Sequence, residues 1–148
     1  MSTAVLNDTF IGNMGQLWRL DPRLAQRIDD LPPDASLAVE ASKSGPPTAR
    51  FAQADGRSHY LHSRHDPARE AADFCRGLEG GDATAVVLSG FGLGHHVKAI
   101  HEVFGSDTLV IACEHDLVTL KTALEHVDLS RELESGRIEF LTQADPSY

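Results

Sequence analysis

The sequence predicts an α/β fold in which a three-stranded parallel half sheet with helices is preceded by N-terminal helices and a small antiparallel β-meander. The main observation is the alternation, between Ala85 and Leu141, of three short apolar runs with stretches of helical periodicity. A second observation is the spacing of turn signals, Gly45-Pro46-Pro47 and Asp55-Gly56, between three short runs upstream. That spacing is typical of a meander.

The three apolar runs define the strands of the parallel sheet. They cover Ala85–Leu88, Leu109–Cys113 and Ile138–Leu141. A helix from His95 to Phe104 joins the first two, and a second helix capped by Asp116 joins the last two. Right-handed crossovers would give strand order 3-2-1 and a Rossmann-like βαβαβ unit.

The N-terminal half divides into helices and meander. Asp21-Pro22 separates a helix over Val5–Leu20 from a short second helix, and Asp66-Pro67 starts another after the meander. We expect meander strands at Ser36–Glu40, Ala49–Ala52 and Ser58–His62. A boundary near Arg64 divides the chain into 1–63 and 64–148, which together form one compact domain.

Two surfaces of this arrangement bear on association. The edge of the first parallel strand is apolar, and we expect the meander to cover it by pairing antiparallel to Ala85–Leu88. The first helix presents an apolar face that we expect to pair with a second copy, giving a homodimer. That face consists of Leu6, Phe10, Met14, Leu17 and Trp18.

Composition excludes several classes of function. The formal net charge of −9, with no Lys/Arg run, disfavours nucleic acid as a partner. The sequence predicts no signal peptide and no membrane span, so we expect a cytoplasmic protein. Cys75 and Cys113 lie in apolar patterns and are predicted to be buried free thiols.

The glycine-rich turn after the first parallel strand is the main candidate site. Gly90 would allow a tight turn, Gly92 would let a backbone N–H group approach a ligand, and Gly94 would open a helix whose N-terminus favours an anion. His95 stands where the dinucleotide fingerprint has its third glycine, and Leu88 stands where methyltransferase-like turns carry an acid. A tight turn that binds no ligand therefore remains an equal alternative.

Three further side chains could contribute to a ligand site. Glu114 could accept hydrogen bonds from ribose hydroxyls, His96 could touch a ligand from the helix N-terminus, and Arg64 could bind a phosphate or carboxylate. His62 and His65 are three residues apart, but no third ligand completes a zinc site, so we expect no metal. No nucleophile or paired-carboxylate pattern predicts a catalytic residue.

Several segments, in this order, resemble the N-terminal region of the motility accessory factor family, to which the 6-hydroxymethylpterin diphosphokinase-like proteins are related. They are Tyr60–Pro67, Arg69–Ala71, Gly90–Gly94 with His96, and Ala123–Ser130. The family usually has Tyr at His65 and His95, and Glu-Pro-Asp where this chain has Glu114-His115-Asp116. The resemblance covers roughly Tyr60 to Leu141.

The resemblance implies a function for the longer protein rather than for these residues. The family members are regarded as glycosyltransferases that attach nonulosonic sugars to flagellin, with the transfer site in a central domain that this chain does not reach. We therefore expect a non-catalytic accessory domain without a cofactor, part of a longer glycosyltransferase. Its expected partners are the downstream catalytic domain, flagellin and a second copy. The alternatives are the S-adenosylmethionine-binding half of a methyltransferase-like enzyme, or a domain that contributes a nucleotide-sugar site.

Overall fold

The computed structural model describes residues 7–78 and 83–142. Six helices and six strands follow one another in the order α1 (Asp8–Leu20), α2 (Pro22–Asp29), β1 (Leu37–Ala41), β2 (Pro47–Ala52), β3 (Ser58–Tyr60), α3 (Pro67–Arg76), β4 (Ala85–Ser89), α4 (His95–Phe104), β5 (Leu109–Cys113), α5 (Leu117–His126), α6 (Ser130–Glu134) and β6 (Ile138–Leu141). The start of the predicted first helix at Val5, and Leu6 on its apolar face, lie outside the described residues. No helix among those described is long and apolar enough to cross a membrane.

Helix starts are fixed by local side-chain caps. Asp21 accepts a hydrogen bond from the backbone N–H of Leu24, with Pro22 at the first helical position. Asp66 and Pro67 repeat this arrangement at α3, where the Asp66 side chain accepts from Arg69 N–H. These carboxylates satisfy N–H groups that the first helical turn leaves unpaired, which is why the Asp-Pro pairs mark the boundaries.

The predicted parallel sheet is present, with β5 hydrogen-bonded to β4 on one side and to β6 on the other. Val87 aligns with Ile111 and Glu139 across the three strands, and Ser89 aligns with Cys113 and Leu141. The sheet follows the chain order β4-β5-β6.

One face of this sheet is buried in the hydrophobic core. Val110, Ala112, Ile138 and Phe140 belong to that core, which the helices share. Among the described residues, the side chains on the opposite face do not belong to that core: Val87 is 67% exposed, Leu141 is 50% exposed, and Ile111 and Cys113 are half-buried. We call this second surface, defined by Val87, Ile111, Cys113 and Leu141, the open face.

The antiparallel meander is also present, but it forms a separate sheet in the order β1-β2-β3. The prediction that it extends the parallel sheet beside β4 is therefore wrong. Its apolar side chains, Leu37 and Val39 among them, pack against the hydrophobic core, and β1 lies against α5. Burying these apolar side chains stabilises the meander more than pairing with β4 in the parallel sheet would.

Helix α1 is docked on its own chain. Met14 and Leu17 are buried, and α1 packs against α5 and α6. These two side chains are consequently not available to a second copy, and the homodimer itself stays a prediction. Trp18 remains 40% exposed.

A buried amide that the sequence pattern did not identify holds α1 in place. Asn13 is fully buried, and its Nδ2 donates to the carbonyl oxygens of Leu124 at 2.8 Å and Val127 at 2.7 Å. Its Oδ1 accepts from Leu129 N–H at 2.9 Å. The side chain thus satisfies carbonyls at the C-terminal end of α5 and orders the turn into α6.

Replacing this amide should expose its contribution. Asn13→Leu fills the site with an apolar side chain but leaves three buried backbone groups unpaired. The free energy of unfolding should therefore fall by about 3 kcal/mol. Urea denaturation followed by circular dichroism measures it. Gln16→Leu, on the same helix and only half-buried, should change stability by less than about 0.5 kcal/mol. Equal effects of the two substitutions would contradict the role given to Asn13.

Candidate functional site: the glycine turn between β4 and α4

The glycine turn connects the end of β4 to α4. Gly90, Gly92 and Gly94 have φ angles of 86°, 55° and 89°, in the left-handed region that L side chains rarely adopt. Helix α4 begins at His95 with no side-chain cap. The sequence prediction of a turn built on these three glycines is thus matched by the backbone.

Glu114, at the end of β5, closes the first part of the turn. Its Oε2 accepts a hydrogen bond from Phe91 N–H at 2.9 Å, and its Oε1 accepts from Asp116 N–H at 3.1 Å. Gly90 N–H donates to the Cys113 carbonyl at 2.8 Å. The carboxylate predicted to meet a ribose therefore serves the backbone of its own chain, and its ligand role stays a prediction.

His62 fills the second part of the turn. Its Nε2 accepts a hydrogen bond from Leu93 N–H at 2.9 Å, and the residue is only 6% exposed. A Cβ atom at Gly92 would lie 2.6 Å from this Nε2. The glycine makes room for the imidazole, so a ligand could approach this backbone only if the His62 ring moved.

Gly94 is explained by packing. A Cβ there would lie 2.8 Å from Leu129 Cδ2 and 3.2 Å from Phe91 Cζ. Both neighbours are 1% exposed core residues. The absence of a side chain brings the start of α4 close to the loop before α6.

Three histidines and an aromatic ring surround this turn. The His62 ring centroid lies 4.9 Å from that of His95 and 5.8 Å from that of His96, and Phe74 of α3 meets His96 edge-on at 5.6 Å. His95 Nε2 is 2.7 Å from the Pro47 carbonyl oxygen. The cluster joins the meander, α3 and α4.

Burial lowers the pKa of all three imidazoles. For His62, burial and then the neighbouring histidines lower the pKa to about 3. Burial is also the main cause of the lowered pKa values of His95 and His96, opposed at His95 first by the Pro47 hydrogen bond. Since Leu93 N–H donates to Nε2, the neutral His62 ring carries its proton on Nδ1, which finds no partner among the described residues.

Arg64 belongs to a different part of the surface. Its guanidinium carbon lies 4.9 Å from the centroid of the Tyr60 ring, a cation–π contact. It also borders a cleft of about 270 Å³ that is lined by Glu40, Lys43 and His65 among others. Its predicted binding of a phosphate or carboxylate stays a prediction.

The described residues contain no group of three or more His, Cys, Asp or Glu side chains placed to hold a metal ion. Cys75 is a buried free thiol as predicted, whereas Cys113 is only half-buried on the open face. The sequence pattern suggests a role for His62 only as a metal ligand. No local pattern indicates its hydrogen bond to a residue 31 positions away. As described, the backbone N–H groups of the turn are hydrogen-bonded to the side chains of Glu114 and His62 of the same chain.

The fit between His62 and Gly92 predicts coupled mutational effects. Gly92→Ala should lower the free energy of unfolding by about 2 kcal/mol or more, from the left-handed φ and the contact with Nε2. In a His62→Ala background the same substitution should cost only about 1 kcal/mol, because the contact is gone. Denaturant unfolding of the four proteins gives the coupling energy.

Gly90→Ala is the matched control. Its φ is also left-handed, yet a Cβ there meets nothing within 4 Å. It should cost about 1 kcal/mol whether or not His62 is present. Purely additive effects of His62→Ala and Gly92→Ala would show that the imidazole does not determine the glycine.

The depressed pKa of His62 also predicts a loss of stability in mild acid. Below about pH 6.5 the unfolded chain takes up a proton that the folded ring refuses until about pH 3. The stabilisation is complete above the unfolded pKa and is lost as the pH falls, so going from about pH 7.5 to about pH 5 should lower the free energy of unfolding by roughly 2 kcal/mol. His62→Gln should reduce this dependence and leave the part that His95 and His96 contribute, whereas replacing the exposed His65 by Gln should not reduce it.

Comparison with known proteins supports the fold. No protein-family model matches the chain, and a search of curated proteins finds no similar sequence. The structure is similar to the MAf glycosyltransferase from Magnetospirillum magneticum AMB-1, with a TM-score of 0.71 and 15% sequence identity over 97% of this chain. The match covers 28% of that glycosyltransferase. The chain thus shares the fold of about a quarter of a MAf glycosyltransferase.

Proposed function

We propose that the chain is an N-terminal accessory domain of a protein glycosyltransferase of the motility accessory factor type, and that it docks onto the remainder of that enzyme. The similarity to part of a MAf glycosyltransferase supports this proposal at the level of the fold. The closed glycine turn supports a structural role, because the N–H groups of Phe91 and Leu93 already have intramolecular partners. In this proposal the transfer chemistry, and flagellin as acceptor, belong to the rest of the enzyme.

The observation that carries the proposal is the open face of the parallel sheet. Parallel sheets are almost always covered on both faces, since their strands are apolar on both sides. Here one face is buried by the core, while Val87 and Leu141 on the other remain 67% and 50% exposed. If the sheet is Rossmann-like, with strand order 3-2-1, a further layer of secondary structure from the same enzyme would cover this second face.

The chemistry of the open face fits a permanent contact within one protein. Ile111, Cys113 and Leu141 occupy adjacent positions in the register of β5 and β6, and the acidic Glu139 interrupts them next to Ile111. A mostly apolar patch with one carboxylate fits a helical cover that brings apolar side chains and a basic one.

The cofactor-binding alternative requires the turn to open. An S-adenosylmethionine-binding half of a methyltransferase, or a nucleotide-sugar site, would need Glu114 or His62 to release its backbone partner. Micromolar affinity of the 148-residue chain for S-adenosylmethionine in calorimetry would favour that alternative over docking.

Docking can be tested with the two parts produced separately. If the natural reading frame continues beyond Tyr148, we expect it to encode a separate α/β transferase domain that binds this chain in trans. Ile111→Asp with Leu141→Asp should weaken that binding by at least about a hundredfold, because two carboxylates would enter an apolar contact. Calorimetry measures the affinity.

Ile11→Asp is the matched control, since Ile11 is 51% exposed on α1, away from the open face. It should leave the affinity unchanged. A continuation that supplies fourth and fifth strands of the same sheet, or separate domains that do not associate, would contradict the accessory-domain proposal.

A further inference from the structure

We propose that the free edge of β4 pairs with β4 of a second copy of this chain, antiparallel and around a twofold axis at Val87, so that two three-stranded sheets join into one of six strands. This inference concerns the backbone edge of the sheet, and Val87 is the residue that it shares with the open face. Four observations support it: the free backbone groups of β4, the composition of the strand, the contrast with the other edge, and the symmetry of the resulting register.

The backbone of β4 has unpaired groups on one side. Thr84 accepts from Leu109 N–H at 2.9 Å and Gly90 donates to Cys113 at 2.8 Å, which fixes the side of the strand that faces β5. Since alternate residues of a strand direct their N–H and C=O to opposite sides, Ala85, Val87 and Ser89 present theirs to the free edge. No described residue pairs with β4 on that side.

The strand lacks the features that usually protect an edge. Its sequence, Ala-Val-Val-Leu-Ser, has no charge and no proline, and it is paired to β5 without a bulge. Val87, at its centre, is the most exposed of the large apolar side chains described, at 67%. An uncharged, apolar edge of this kind readily pairs with another strand.

The opposite edge of the sheet differs. Strand β6 carries the exposed Glu139, and just beyond its end Thr142 accepts a hydrogen bond from Arg27 at 2.9 Å. Charge and a contact from α2 thus accompany β6, whereas β4 has neither. Among the described residues neither edge has a neighbouring strand, and β4 is the edge that lacks both the charge and the contact.

A second copy of β4 satisfies the free groups completely. In an antiparallel pair centred on Val87, the two Val87 residues exchange both backbone hydrogen bonds, and Ala85 of each copy does the same with Ser89 of the other. Every outward N–H and C=O of the five-residue strand is then paired. The two Val87 side chains meet on the open face, where β-branched pairs are favourable.

Electrostatic repulsion affects how tightly two copies can pair. Each copy carries a formal net charge of −9, which opposes self-association through long-range repulsion, but β4 itself is neutral. The dimer should therefore become tighter as salt screens that repulsion.

Cysteine cross-linking tests both the edge and the register. In a Cys113→Ser background, Val87→Cys alone should form an intermolecular disulfide on mild oxidation, because paired Cα atoms lie about 5.5 Å apart. Ala85→Cys and Ser89→Cys should each fail alone and cross-link when the two proteins are mixed. Mass spectrometry and non-reducing gels detect the products.

Sedimentation equilibrium gives the affinity. Val87→Lys should raise the dissociation constant of the dimer at least about tenfold by placing two like charges opposite each other, with an unchanged circular dichroism spectrum. Ile11→Lys, at a residue that is 51% exposed on α1 rather than on β4, should leave the dissociation constant unchanged. The proposal is overturned by a wild-type chain that stays monomeric at high micromolar concentration, by a dimer that Ile11→Lys rather than Val87→Lys dissociates, or by cross-linking of Ala85→Cys alone.

Discussion

The insertion of the His62 ring into the glycine turn is the contact on which the arrangement of the two sheets depends. The ring reaches the turn because Thr48 Oγ1 donates to the His62 carbonyl at 2.9 Å, which fixes the end of the meander. It can enter because Gly92 has no side chain. His95 adds a second tie, from the first residue of α4 to the Pro47 carbonyl. The meander is therefore positioned by contacts to the glycine turn together with the packing of its apolar side chains on the core, not by sheet pairing.

This contact changes where function should be sought. A glycine-rich turn at the end of a parallel strand is a common place for phosphate or cofactor binding, because its N–H groups are free. Here an imidazole and a carboxylate occupy those groups. Within residues 7–78 and 83–142, the surfaces without partners lie elsewhere, on the open face and along β4. Both are apolar and built from backbone and aliphatic side chains, which suits association better than chemistry.

Local sequence was sufficient for most elements of the fold and insufficient for the contacts between them. The strands Leu109–Cys113 and Ile138–Leu141 were predicted with the bounds that the structure shows, since apolar runs between turn signals depend only on neighbours in the chain. The placement of the meander and the partners of Glu114, His62 and Asn13 were not predicted. Each depends on residues distant in sequence, and Asn13 meets a backbone more than a hundred positions away. A buried amide has no periodicity that would distinguish it from a solvated one.

The contact between His62 and Gly92 has a consequence for evolution. If an imidazole excludes a side chain at position 92, the two positions are not free to change independently. Related chains that keep a histidine at 62 should keep the glycine, and those that lose the histidine should tolerate Ala, Asn or Ser there. A glycine maintained in this way would look, in an alignment, like the mark of a nucleotide-binding loop. In that case the glycine would be kept because of the histidine and not because of a nucleotide. Covariation between positions 62 and 92 in an alignment would distinguish the two causes.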